Sequence, residues 1–178
     1  MWKITIYFFL VMAGWIGFTT WAPTLLNESK GVPLGYASFL TSIPMLISLA
    51  GLPIIGWLSD RIRKRRVLIF AGSALMTLLL LLLPYTPRWS LIPSFVILGI
   101  AFSFVPGTVF SIAGEVLGPG SSGTGFAILN TGANAGWAIA PYLIGLVLDY
   151  TGSATYSFLI MSIFVAPSIM LALLIRGK

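Results

Sequence analysis

The sequence contains no cysteine and no histidine, and only 8% of its residues carry a charge. Without cysteine there is no disulfide and no thiolate chemistry, and cysteine usage is silent about compartment. Without histidine there is no Ser-His pair and no His-ligated metal, which excludes intramembrane proteases of the serine–histidine and zinc types. No paired carboxylates, nucleophile–base set or metal-ligand cluster takes their place, so neither enzyme activity nor a cofactor or metal is expected. The scarcity of charge excludes more. Ordinary soluble domains carry about 25% charged residues, whereas 58% of this chain is hydrophobic. A soluble fold of 178 residues has too little interior to hide that much apolar surface, so lipid is the expected solvent.

The fourteen charges are placed informatively. They leave six charge-free stretches, 4–27, 31–59, 67–87, 89–114, 116–148 and 150–175. These run from 21 to 33 residues. Crossing about 30 Å of hydrocarbon at about 1.5 Å per residue takes roughly 20 residues. Each stretch therefore crosses once and none crosses twice. Backbone groups in lipid must be satisfied internally, so the spans are helices. The expected fold is an all-α integral membrane bundle of six transmembrane helices forming one domain over 1–178. The first apolar run is too long for a signal-peptide core and leads straight into a second span, so no removable targeting segment is expected.

The net charge of +6 does not point to nucleic acid. Five of the ten basic residues, Arg61, Arg63, Lys64, Arg65 and Arg66, crowd the connection between spans two and three. Placing that connection in the cytoplasm puts eight basic residues on its side, with Lys3, Arg176 and Lys178, against Lys30 and Arg88 opposite. Both termini are then expected to be cytoplasmic, in a plasma membrane. Trp2 and Trp57 fall near the cytoplasmic interface, and Trp21, Tyr36, Tyr85, Trp89 and Tyr150 near the outer one, as in an aromatic belt. Trp15 and Trp137 fall near mid-membrane.

Spans two and five end alike. Pro53 precedes Gly56-x-x-x-Asp60, and Pro141 precedes Gly145-x-x-x-Asp149; the glycines stand 89 residues apart, half the chain. Alternation puts Asp60 and Asp149 on opposite sides. The expectation is two inverted three-helix repeats, about 1–87 and 88–178.

The connection after span two reads Gly56-Trp-Leu58-Ser59-Asp60-Arg61-Ile-Arg63-Lys64-Arg65-Arg66. It resembles the major facilitator loop signature, Gly-x-Leu-Ala/Ser-Asp-Arg-x-Gly-Arg-Arg/Lys. Arg63 stands where that signature has glycine. The likeness extends along the chain: Trp21-Ala-Pro23 is similar to the end of the family's seventh helix, and Pro106-Gly107 to a break in its tenth. The run Gly125, Asn130, Gly132, Asn134, Gly136, Pro141, Gly145 is similar to its eleventh. Asp149-Tyr-Thr-Gly152-Ser is similar to the anion:cation symporter branch. The resemblance implies the C-terminal six-helix half of a secondary transporter, moving a small solute by alternating access. It also implies that the third helix of each repeat faces lipid.

The residues suggest two candidate sites. In a conformational switch, Gly56 lets a helix approach closely, Asp60 faces a helix N-terminus, and Arg61 and Arg65 hold a carboxylate. Glu115 is the acidic candidate for Arg65; the alternative is a solvated basic loop that only sets topology. The candidate substrate face lies on span five, where Asn130, Asn134, Trp137 and Pro141 follow i, i+4, i+7, i+11. The alternative is that the asparagines bond between helices and the tryptophan packs. Gly132, Gly136 and Ala140 beside them form a small-residue packing seam. Trp15, Thr19 and Ser103 are further substrate candidates for which packing is the competing role. Beyond lipid and solute, the expected partner is a second six-helix half, as a separate chain, a missing N-terminal half or a second copy. A non-transporting accessory subunit on the same scaffold is the other function considered.

Overall fold

The computed structural model describes residues 1–62, 64–117 and 122–175. Arg63, Arg176 and Lys178, which the signature and the charge count used, lie outside the described residues. Helices are α1 (Trp2–Lys30), α2 (Leu34–Ile62), α3 (Arg65–Leu82), α4 (Leu91–Ser103), α5 (Pro106–Leu117), α6 (Ser122–Thr151) and α7 (Ala154–Leu174). Two 3₁₀ turns, Leu83–Tyr85 and Arg88–Ser90, join α3 to α4. Six segments are long and apolar enough to cross a membrane, and α4 with α5 makes the fourth.

The interruption in span four falls at Phe104 and Val105, just ahead of the expected Pro106-Gly107. The proline ring disfavours helical backbone in the residue before it. Pro106 itself suits the first helical position, where its missing N–H is no loss. Pro23, Pro44, Pro53, Pro141 and Pro167 sit inside unbroken helices. Neighbouring helices make such interior prolines tolerable in a bundle.

Span one is the hub. α1 packs mainly on α6 and α7, α2 mainly on α4, and α3 mainly on α7. Small residues bring the backbones together. A Cβ on Gly136 of α6 would lie 2.9 Å from the Phe9 carbonyl oxygen and 3.1 Å from the Ala13 nitrogen. A Cβ on Gly99 of α4 would lie 2.6 Å from the Pro44 carbonyl oxygen. With no hydrophobic drive between helices in lipid, such close van der Waals packing holds them. Aromatics fill the rest: Trp15 stacks on Phe102 at 3.7 Å, and Phe18 meets Phe95 edge-on at 5.5 Å. Buried Tyr7 ties α1 to α3 through the Ile69 carbonyl at 3.0 Å and the Ser73 hydroxyl at 2.7 Å.

The connections at the end opposite the basic loop are short. Residues 31–33 join α1 to α2, and 152–153 join α6 to α7. Gly31 and Gly152 take left-handed backbone, φ 59° and 60°, which costs glycine nothing. Gly31 N–H reaches the Asn27 carbonyl, the αL helix ending, and Val32 N–H reaches the Leu26 carbonyl. Lys30 donates to the carbonyls of Pro84 and Thr86, at 2.9 and 2.6 Å, and so fastens the connection after α3.

Burial is uneven. Spans one and four are the most enclosed, and spans two and five the least. Spans three and six turn apolar faces outward, Leu78, Leu81 and Leu82 on one, Ile163 and Met170 on the other.

Candidate functional site

The basic connection folds into an ion cluster. The Arg65 guanidinium, at the start of α3, donates to Glu115 Oε1 at 2.5 Å and to Asp60 Oδ1 at 3.1 Å. It also reaches the Ser111 carbonyl at 3.5 Å. One side chain therefore ties the end of α2 and the last turns of α5 to the start of α3. The Arg65 side chain is 15% exposed, Glu115 47% and Asp60 68%. The cluster is covered from one side and open on the carboxylate side. Among the described residues, Arg65 Nε is buried with no hydrogen-bond partner, as are the hydroxyls of Ser59 and Thr108.

The other switch candidates stand apart from Arg65. Arg61 lies over the Trp57 ring at 5.1 Å, a cation–π contact that helical i, i+4 spacing allows. At Gly56 an added Cβ would meet nothing within 4 Å. Its counterpart Gly145 is different, because the Trp21 ring would lie 2.9 Å from a Cβ there. Trp21 also donates its indole N–H to the Pro141 carbonyl at 2.8 Å. Trp21 thus turns inward against span five, unlike Tyr36, Tyr85, Trp89 and Tyr150 toward the same end of the bundle, which are exposed.

The span-five face divides in two. Gly132, Gly136 and Ala140 turn toward α1, with Gly132 against Thr5 and Gly136 against Phe9 and Ala13. Asn130, Asn134 and Trp137 are exposed, and so are Thr131 and Tyr142 farther round the helix. No hydrogen bond of the two asparagine side chains to another described residue is present. The uncovered arc takes in more than half of the helix circumference at about 100° per residue.

The remaining candidates lie within the packing. Trp15 is 7% exposed, stacked on Phe102. Ser103 is 1% exposed, donates to the Gly99 carbonyl at 2.8 Å and packs against Gly51 of α2. Thr19 is half-buried and donates to the Ile16 carbonyl of its own helix. The structure does not bring these three together with Asn134 and Trp137 around one cavity. The exposed Thr131 and Tyr142 drew no notice in the sequence, since a lone hydroxyl in a span carries no periodic signal.

Comparison with known proteins agrees with this layout. The profile of the Major Facilitator Superfamily matches residues 2–178. A probable sulfoacetate transporter of Cupriavidus necator is 27% identical over 172 residues, covering 90% of this chain and 39% of the relative. A quinolone resistance transporter of Acinetobacter baumannii is 26% identical, covering 98% and 41%. A probable nitrate/nitrite transporter of Mycobacterium tuberculosis is 27% identical, covering 83% and 38%. The chain spans about two fifths of the length of these curated relatives.

Proposed function

The chain belongs to the major facilitator superfamily, a family of multi-pass membrane transporters and not of enzymes, and we propose that it supplies one six-helix wall of an alternating-access transporter for a small polar solute. The observation that carries this reading is the uncovered polar arc of α6. Asn130 and Asn134 stand exposed on a membrane-length helix beside an exposed Trp137. Polar side chains left against hydrocarbon are costly, and in membrane helices they face a bundle interior or a water-filled cavity. A second wall opposite that arc encloses such a cavity, in which the asparagines offer donors and acceptors and the indole a stacking surface. Open Gly56 and the exposed Asp60 carboxylate supply a contact surface for the same second wall. In this reading the Asp60–Arg65–Glu115 cluster holds the half in one of two arrangements.

The inverted repeats about 1–87 and 88–178 are part of the proposal. The pairings α1 with α6 and α4 with α2 support them, since each pairs the first span of one unit with the second of the other. So does the location of Asp60 and Asp149 at opposite ends of the bundle. We place both termini in the cytoplasm, at a plasma membrane, from the basic asymmetry. The names of the relatives include small anions, sulfoacetate and nitrate among them. A solute of that kind needs its counter-charge from the other wall, because no charged side chain lies deep in these spans.

The test is solute uptake into vesicles, by the chain alone and by the chain assembled with a second six-helix half. Uptake is expected from the assembly and not from a monomer. Robust uptake by a demonstrably monomeric sample refutes the half-transporter reading. Assemblies that form but move no solute favour the accessory-subunit reading. Reporters fused to each terminus check the orientation, and an external signal from either end overturns it.

A further inference from the structure

The end of the bundle that holds the Arg65 cluster also holds a cavity of about 640 Å³. It opens between the start of α1, the start of α3 and the last turns of α5 and α7. Its walls include Trp2, Lys3, Arg66, Val116, Leu173 and Leu174. The two cationic side chains come from different helices, and among the described residues no carboxylate lines the space. The nearby acids are committed: Glu115 and Asp60 both pair with Arg65. Among the described residues neither Lys3 nor Arg66 has a salt-bridge partner. A concave site with unmatched positive charge concentrates anions.

The other wall is apolar and open. Val116, Leu173 and Leu174 are exposed, and Trp2 is 73% exposed beside them. A free anion makes no use of such a wall. The spans around the cavity are membrane-length and have their ends there, which puts the cations at headgroup depth and the aliphatic residues at the edge of the hydrocarbon. Tryptophan at that level is the usual interfacial anchor. Basic pockets between helix ends are the setting in which anionic headgroups bind.

We propose that this cavity is a binding site for an anionic phospholipid, whose phosphate sits between Lys3 and Arg66 and whose acyl chain runs along Val116, Leu173 and Leu174. The bound lipid bridges the starts of α1 and α3 and the ends of α5 and α7. Arg66 follows Arg65 directly, so the lipid also steadies the N-terminus of α3, on which the ion cluster depends.

The test uses the chain in nanodiscs of phosphatidylcholine containing a minority of phosphatidylglycerol with a photoactivatable acyl chain. Crosslinks are mapped by peptide mass. They are expected on Val116, Leu173 and Leu174, and to fall about fivefold on Arg66→Gln, the effect of about 1 kcal/mol per basic residue near an anionic surface. Lys3→Gln should act similarly and the double variant more strongly. Lys64→Gln removes a charge from the same connection without lining the cavity and should leave the crosslinks unchanged. An equal loss with Lys64→Gln shows diffuse attraction to the membrane and overturns the site. Photoactivatable phosphatidylcholine labelling the same residues equally well overturns the headgroup selectivity. Competition by millimolar inorganic phosphate shows a free-anion site instead. Helical circular dichroism of each variant separates lost binding from lost fold, and a folded double variant that keeps its crosslinks refutes the proposal.

Discussion

Replacing Glu115 by Gln should weaken the bundle more than replacing Asp60 by Asn, although both carboxylates meet one guanidinium. The contact to Glu115 is the shorter, 2.5 Å against 3.1 Å, and Glu115 is the less exposed, 47% against 68%. Coulomb attraction at these separations is nominally several kcal/mol at an effective dielectric constant of about 20. Both carboxylates are more than a third exposed, so solvent screening reduces this to the range of surface pairs, about 0.2–1 kcal/mol. Glu115 belongs near the top of that range, because Arg65 is largely covered, and Asp60 near the bottom. The difference of about 0.7 kcal/mol is roughly threefold in an equilibrium constant. Two double-mutant cycles measure it, each with Arg65→Met, read by unfolding equilibria of the chain in mixed micelles. The cycle cancels effects that each substitution has on its own. Added salt should erode the Asp60 coupling first, as the more exposed pair. An Asp60 coupling equal to or larger than that of Glu115 refutes the reasoning, as does a Glu115 coupling of zero.

Four further outcomes are expected. In the assembled transporter, Asp60→Asn should slow transport while abundance stays near normal, since a helix N-terminus of the proposed second wall would stabilise the carboxylate by about 0.3–1 kcal/mol, enough to shift two conformers without unfolding; unchanged transport reduces the signature to a topology signal. Asn134→Ala and Trp137→Ala should weaken solute binding about five- to 150-fold, the cost of about 1–3 kcal/mol for an unpaired polar group, and spare abundance. Gly132→Leu and Gly136→Leu should lose protein instead, because Thr5, Phe9 and Ala13 already occupy the space; loss of protein in all four makes the polar arc structural. Trp21→Phe should cost more than the roughly 0.6 kcal/mol of one inter-helix hydrogen bond, since phenylalanine loses both the bond to Pro141 and the distal indole ring that lies against Gly145, and an unchanged melting temperature contradicts this assignment.

The spans were legible because charge punctuates them, and Arg65 with Glu115 because Glu115 is the one acid at the end of another span on that side; the bond from Arg65 to Asp60 of the same connection was not. Which way a side chain points was much less legible. In a soluble helix the apolar stripe marks the buried face, but here lipid and interior are both apolar, so the stripe disappears. Trp15 and Trp137 look alike in sequence, yet one is stacked on Phe102 and the other half exposed. Likewise Ser103 carries no mark of its burial against Gly51, and Trp21 none of its bond to Pro141. The two Gly-x-x-x-Asp ends read as equals, whereas Gly145 is covered by Trp21 and Gly56 is bare. Only three-dimensional packing distinguishes them.

The short connections at the end opposite the basic loop bear on how anything passes there. Among the described residues, the left-handed endings at Gly31 and Gly152 and the Lys30 clasp on Pro84 and Thr86 leave little free chain at that end of this half to lift or fold over an opening. Loop lids close by local ordering of a few residues. In the proposed transporter this wall therefore moves at that side as whole helices lean, and the smallest moving part is the welded block itself, displaced by rigid-body tilt.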